Sequence, residues 1–220
     1  MAVAGLGLGR LGLKAWPVAL ATPFLIEFGA VALLAALGLT AIAMPPSQGV
    51  ADMILNIAAG LAIMTVIAAF EEIGWRGYML PRMMGLGPVR AMLIVGFLHG
   101  LWHMPLLLLT DLYHAEGSPW IVVPMFLTTL TLAGVLYGAL RQWTGSVWPV
   151  ALAHASVNVA WGVAGEMSTN KSALVLEYLG GESGLIMIVS LLIVDVVLIQ
   201  RLRGRSLAVA APSQPASLPL

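Results

Sequence analysis

The sequence predicts an all-α polytopic membrane protein: a helical bundle of about six transmembrane helices around a buried polar cavity. Three observations carry that prediction. Hydrophobic residues make up 60% of the 220 residues, and mean hydropathy is +0.97. Charged residues make up only 9%, against about 25% in a soluble domain, too few to cover a water-exposed surface. The apolar residues also gather into six stretches, each near the ~20 residues a bilayer crossing needs: 18–44, 51–80, 90–110, 120–140, 147–165 and 184–200.

The first stretch follows Arg10 and Lys14, as a signal peptide would, but its apolar run exceeds the ~7–15 residues of a signal core. It is read as a retained span. Turn-forming residues separate the spans: Met44-Pro45-Pro46-Ser47-Gln48-Gly49, Gly85-Leu86-Gly87-Pro88, Glu116-Gly117-Ser118-Pro119, Thr144-Gly145-Ser146, and Gly180-Gly181-Glu182-Ser183-Gly184. Residues 1–205 read as one integral-membrane domain. The polar, proline-containing stretch 206–220 reads as a disordered tail. Arg10, Lys14, Arg82, Arg90, Arg141, Arg201, Arg203 and Arg205 fall on alternate connections. The others hold Asp111, Glu116, Glu166, Lys171, Glu177 and Glu182. By the positive-inside rule both termini are cytoplasmic, and the expected location is the plasma membrane of a prokaryote. Trp16, Trp120, Trp143 and Trp148 fall near span ends, as an interfacial belt requires.

Ten basic and ten acidic residues balance, so no basic face exists for nucleic acid. The absence of cysteine excludes disulfides, thiolate metal sites and a cysteine nucleophile. Phosphate-cradling glycine loops are absent, as are His-Glu-x-x-His, Gly-x-Gly-Asp and Gly-x-Ser-x-Gly.

Ionisable groups inside spans are costly and mark cavities or partners. Here they concentrate in Glu71, Glu72 and Arg76 of the second span, His99 and His103 of the third, and His154 with Asn158 in the fifth. Glu72 and Arg76 are i and i+4 and can pair. Glu71 is rotated by about 100° from Glu72, so it is free to face a cavity. Carboxylate, imidazole and carboxamide together can activate water and stabilise an oxyanion. Glu27 and Asp195 stand alone in their spans and are expected in interhelical hydrogen bonds or near a wet interface. His114 is expected to be solvated.

Three segments resemble motifs of a known family. Glu71-Glu72-Ile73-Gly74-Trp75-Arg76 resembles its Glu-Glu-x-x-x-Arg motif. Gly100-Leu101-Trp102-His103-Met104-Pro105 resembles the stretch around its Phe-x-x-x-His motif. His154-Ala155-Ser156-Val157-Asn158 matches its His-x-x-x-Asn motif. The family is the CPBP intramembrane proteases, also called the CAAX protease and bacteriocin-processing (Abi) family, and the resemblance covers about residues 60–165. It implies an endopeptidase in which Glu71 activates water, His103 positions that water, and His154 with Asn158 forms the oxyanion hole. Arg76 would pair with Glu72 and brace the site. No cofactor is required in that mechanism. A divalent metal such as zinc, held by Glu71, His103 and His154, is the alternative, and the sequence leaves the choice open.

The implied partners are the lipid bilayer and a protein or peptide substrate with a hydrophobic or prenylated segment. Two features depart from the family: His99 occupies the motif phenylalanine, and six spans stand where prenyl endopeptidases tend to have eight. The alternatives are a non-catalytic membrane protein, for bacteriocin immunity or scaffolding, and a small transporter.

Overall fold

The computed structural model describes residues 3–45, 49–110 and 116–210, with side-chain surroundings for 5–45, 49–110 and 116–202. The turn at 46–48, Asp111, His114 and residues 211–220 lie outside the described residues. The chain forms α1 (Trp16–Ala36), α2 (Val50–Glu72), a π-helical segment (Ile73–Met79), α3 (Leu80–Met83), α4 (Pro88–Trp102), α5 (Met104–Leu109), α6 (Pro119–Thr144), α7 (Trp148–Met167), a second π-helical segment (Leu174–Leu179) and α8 (Leu185–Ala210). It is a helical membrane bundle. α8 thus takes in 206–210 of the stretch expected as tail.

Among the described residues, five segments are long and apolar enough to cross a membrane: Leu13–Ala36, Val50–Leu86, Pro88–Leu109, Pro119–Thr144 and Leu185–Leu202. The sixth expected span, α7, has the length, but His154, Ser156, Asn158 and Glu166 dilute its apolar character. It compensates by position, because it packs against α1, α2 and α6. Ala151, Ala153, Ala155, Ala160 and Ala164 bury completely or nearly so in those contacts. Small residues let helices approach where lipid gives no hydrophobic drive.

The first span ends eight residues earlier than its apolar run. Gly38 has φ +74°. The Leu39 N–H bonds the Leu34 carbonyl and the Gly38 N–H that of Ala35, both at 3.0 Å. This pair of bonds ends a helix through a left-handed glycine. The chain then runs beside the end of α7, where the Ala43 N–H donates to Met167 O (2.9 Å) and the Thr169 N–H to Ala41 O (3.0 Å).

Two breaks shape the site. After Glu72 the second span continues as the π-helical segment, where the Leu80 N–H reaches back to Trp75 O. The wider i→i+5 turn reorients everything after the glutamates, and such turns concentrate at functional sites. The third span breaks at His103. Its N–H bonds Gly100 O at 3.1 Å, so the His99 carbonyl loses its helical partner. His103 Nδ1–H takes that place, 3.0 Å away. Pro105 then starts α5 without needing a backbone donor.

α4 and α6 cross closely at Gly96 and Gly134. A Cβ on Gly96 would run into the carbonyl oxygen of Leu130, and one on Gly134 into that of Met92. That crossing sets the depth at which α4 delivers its histidines. At the other side, the N-terminal strap lies over the start of α7. The Val147 N–H donates to Gly7 O (3.1 Å), Trp148 Nε1 to Leu8 O (3.1 Å), Arg141 to Gly5 O (3.1 Å), and Ser146 Oγ to Arg10 O.

Candidate active site

Glu71 and Glu72 end α2, and their rotation about the helix sends them to different partners. Glu72 turns inward and is fully buried, as are Arg76 and His99. Arg76 folds back from the π-helical segment so that one guanidinium nitrogen, NH1, lies 2.9 and 3.0 Å from the two Glu72 oxygens. The face of that guanidinium rests on the Tyr137 ring, 4.8 Å from its centroid, a cation–π contact from α6. His154 Nδ1 donates to Glu72 Oε1 at 3.0 Å, because a carboxylate only accepts. α7 is thereby fixed to α2 through a buried charge, and the His154 ring stacks on Tyr137.

Glu71 points the other way, and its side chain retains 22% exposure. Its Oε2 lies 3.0 Å from His99 Nε2. His99 Nδ1 lies 3.0 Å from Arg76 NH1. Four residues from the second and third spans therefore form one chain of contacts: Glu72, Arg76, His99 and Glu71.

Glu71, His103, His154 and Asn158 line one cavity of about 660 Å³ between α2, α5 and α7. Met64, Ile67, Leu106 and Leu109 supply its apolar walls. A smaller chamber of about 50 Å³ lies behind His103 and His154, against Phe126, Thr129, Tyr137 and Glu182. With Nδ1 of each ring committed, His103 and His154 have Nε2 as their remaining polar atom. Of the residues singled out in the sequence, four thus border the open cavity. Glu72 sits behind it and meets its wall through His154, while Arg76 connects to it through His99 and then Glu71.

In the sequence His99 is marked as a departure from the motif phenylalanine. Its contact with Glu71 has no signal in spacing, because it crosses from one helix to another. Tyr137, beneath both Arg76 and His154, was not singled out; nothing distinguishes it from other aromatics in a span.

Glu71, His99 and His154 offer three donor atoms within 4.8 Å of one another, the arrangement closest to a metal site among the described residues. The expected set had His103 in place of His99. Arg76 is donor-only, so His99 Nδ1 accepts and its single proton sits on Nε2, the atom a metal would need from His99. The expected set of Glu71, His103 and His154 lines the open cavity.

Glu27 and Asp195 are buried, and Glu27 Oε1 and both Asp195 oxygens have no hydrogen-bond partner among the described residues. The expected interhelical bonds are thus missing at these atoms, since no donor on the facing helices reaches them. Glu27 borders a separate cavity of about 370 Å³ with Trp161, Glu166, Lys171 and Glu177, at the end of the bundle away from the N-terminal strap.

Just before α8, burial pushes the Glu182 carboxyl up from 4.5 to about 7, with His154 pulling the other way. A raised value means the folded state holds this proton more tightly than the unfolded chain. The stabilisation is complete below about 4.5 and is lost as pH rises through about 7, a swing on the order of 3 kcal/mol. Thermal denaturation in detergent is expected to show a lower midpoint at pH about 8 than at about 5. Glu182→Gln should flatten that slope, and an unchanged slope would assign it elsewhere.

Residues 53–160 match the family profile described as Type II CAAX prenyl endopeptidase Rce1-like. A curated relative, CAAX prenyl protease 2 of Methanococcus maripaludis, is 30% identical over 80 residues, covering 34% of this chain and 30% of the relative. The chain therefore aligns with less than a third of that protein's length. No solved structure matches the chain. The matched region runs from α2 into α7 and contains every residue of the network from Glu71 to Asn158, so it is this motif-bearing segment that is similar to the Rce1-like type II CAAX prenyl endopeptidases.

Proposed function

We propose that this protein is an intramembrane endopeptidase that cleaves near the C-terminus of a lipid-anchored, CaaX-type protein or peptide. The observation that carries the reading is the division of labour between adjacent glutamates. Glu72 is neutralised by Arg76 and His154, while Glu71 faces an apolar-walled cavity shared with His103, His154 and Asn158.

Glu71 takes a proton from a water positioned by His103, and the hydroxide oxygen attacks the scissile carbonyl carbon. The resulting oxyanion is stabilised by the Asn158 amide and by His154 Nε2–H, the ring being charged through its pair with Glu72. Collapse breaks the C–N bond, and Glu71 returns its proton to the leaving amine. Every group in that cycle is a side chain, and the cycle as written needs no metal.

Arg82 follows Glu71 by eleven residues, about 16 Å along a helix. By the positive-inside rule that end of the second span and both termini are cytoplasmic, and the cavity runs from Glu71 past Met64 and Leu109, away from Arg82. The test is incubation of protein in bilayers with a farnesylated CaaX peptide, with mass spectrometry of the released C-terminal fragment. Release is expected and should survive a strong chelator. Folded protein that releases nothing would overturn the protease reading and favour a non-catalytic role; release abolished by chelator would overturn the metal-free mechanism.

A further inference from the structure

His99 is fully buried and lies between two groups whose chemistry fixes its protonation. Arg76 NH1 can only donate, and it sits 3.0 Å from His99 Nδ1. Nδ1 must therefore accept. An imidazole that accepts at Nδ1 carries its proton on Nε2, and Nε2 is 3.0 Å from Glu71 Oε2. The ring has little freedom to leave this position, being held by Trp75 at 5.1 Å and His103 at 4.9 Å between ring centroids.

We propose that His99 is a positioning residue for Glu71: locked as the Nε2–H tautomer by Arg76, it clamps one carboxylate oxygen and leaves the other to face the cavity. This inference rests on the protease reading for its kinetic consequence, though not for its structural one. It accounts for a histidine where the motif resembled by this chain has phenylalanine. An aromatic ring of either kind fills the space, but only imidazole relays the orienting effect of the buried Glu72–Arg76 pair to Glu71. Adjacent carboxylates that diverge around α2 are thereby coupled through a residue on α4. A general base held in one rotamer loses less entropy on reaching the transition state.

Two variants separate this role from packing. His99→Phe keeps the ring and removes both hydrogen bonds. His99→Gln can keep both, its carboxamide oxygen accepting from Arg76 and its NH2 donating to Glu71. Nitrogen-15 spectra of the protein in bilayers, with His99 identified by its loss in His99→Gln, should show a single neutral tautomer protonated at Nε2. An infrared carboxylate band assigned to Glu71 through Glu71→Gln should move in His99→Phe and return in His99→Gln. In the peptide assay His99→Phe should lower kcat about tenfold with KM unchanged, and His99→Gln should recover most of it. An Nδ1–H or doubly protonated His99, or a Glu71 band indifferent to His99→Phe, overturns the proposal. So does a His99→Phe enzyme with wild-type kcat. If the spectra come out as expected and wild-type protein cleaves nothing, the clamp stands and the protease reading falls.

Discussion

Glu71→Gln is expected to lower kcat/KM by about 10²–10⁴-fold, the usual loss when a positioned general base is removed, while the protein stays folded. The structure gives a reason for each half of that expectation. The amide nitrogen of glutamine has no lone pair to take a proton from water, and its carbonyl oxygen is a far weaker base. That same oxygen can still accept the Nε2–H of His99, now 3.0 Å from Glu71, so no buried donor is orphaned. Glu71 is also the partly exposed glutamate of the pair, so the substitution removes no buried charge. Kinetics and thermal denaturation on one preparation should show activity lost and midpoint kept. Full activity in Glu71→Gln would remove Glu71 from the chemistry.

Hydropathy located the helices because lipid imposes it, but it did not locate their ends. Residues 37–44 are apolar without being helical, since Gly38 turns the chain left-handed and the following residues pair with the end of α7. Gly38 was in plain view, yet an isolated glycine is common inside membrane helices. α7 was legible as a span from its apolar run, although it falls short of the five segments that are apolar enough to cross a membrane. The π-helical turn after Glu72 has no sequence signature; it is a packing outcome. Pro105, two residues beyond His103, is the local feature that goes with the break there.

At the site, the local part was readable and the interhelical part was not. The pairing of Glu72 with Arg76 and the divergence of Glu71 follow from 3.6 residues per turn. Which histidine meets Glu71 depends on how close α4 comes, and the Gly96–Gly134 crossing sets that. Spacing alone treats His99 and His103 alike, being one turn apart. The break after His99 separates them: one ring reaches the glutamate, while the other caps its own helix and faces the cavity.

Arg76→Met is expected to destabilise the protein by about 3–5 kcal/mol, the cost of leaving a buried charge without its partner. Methionine fills much of the same volume, so the loss is electrostatic rather than a cavity. Both Glu72 oxygens lose their donor at 2.9 and 3.0 Å, His99 Nδ1 loses its own at 3.0 Å, and Tyr137 loses the cation on its face. Only His154 remains to hold Glu72. If the unpaired charge is the cause, removing it should help: Glu72→Leu combined with Arg76→Met should recover much of the stability lost in Arg76→Met alone. Activity should not recover, because His154 would have lost the carboxylate that orients it and His99 the donor that fixes its tautomer. Reversible unfolding of wild type, single and double variants in one bilayer composition would measure this. An Arg76→Met variant within about 1 kcal/mol of wild type would mean that Glu72 takes up a proton there at little cost, and that the pair contributes orientation rather than stability.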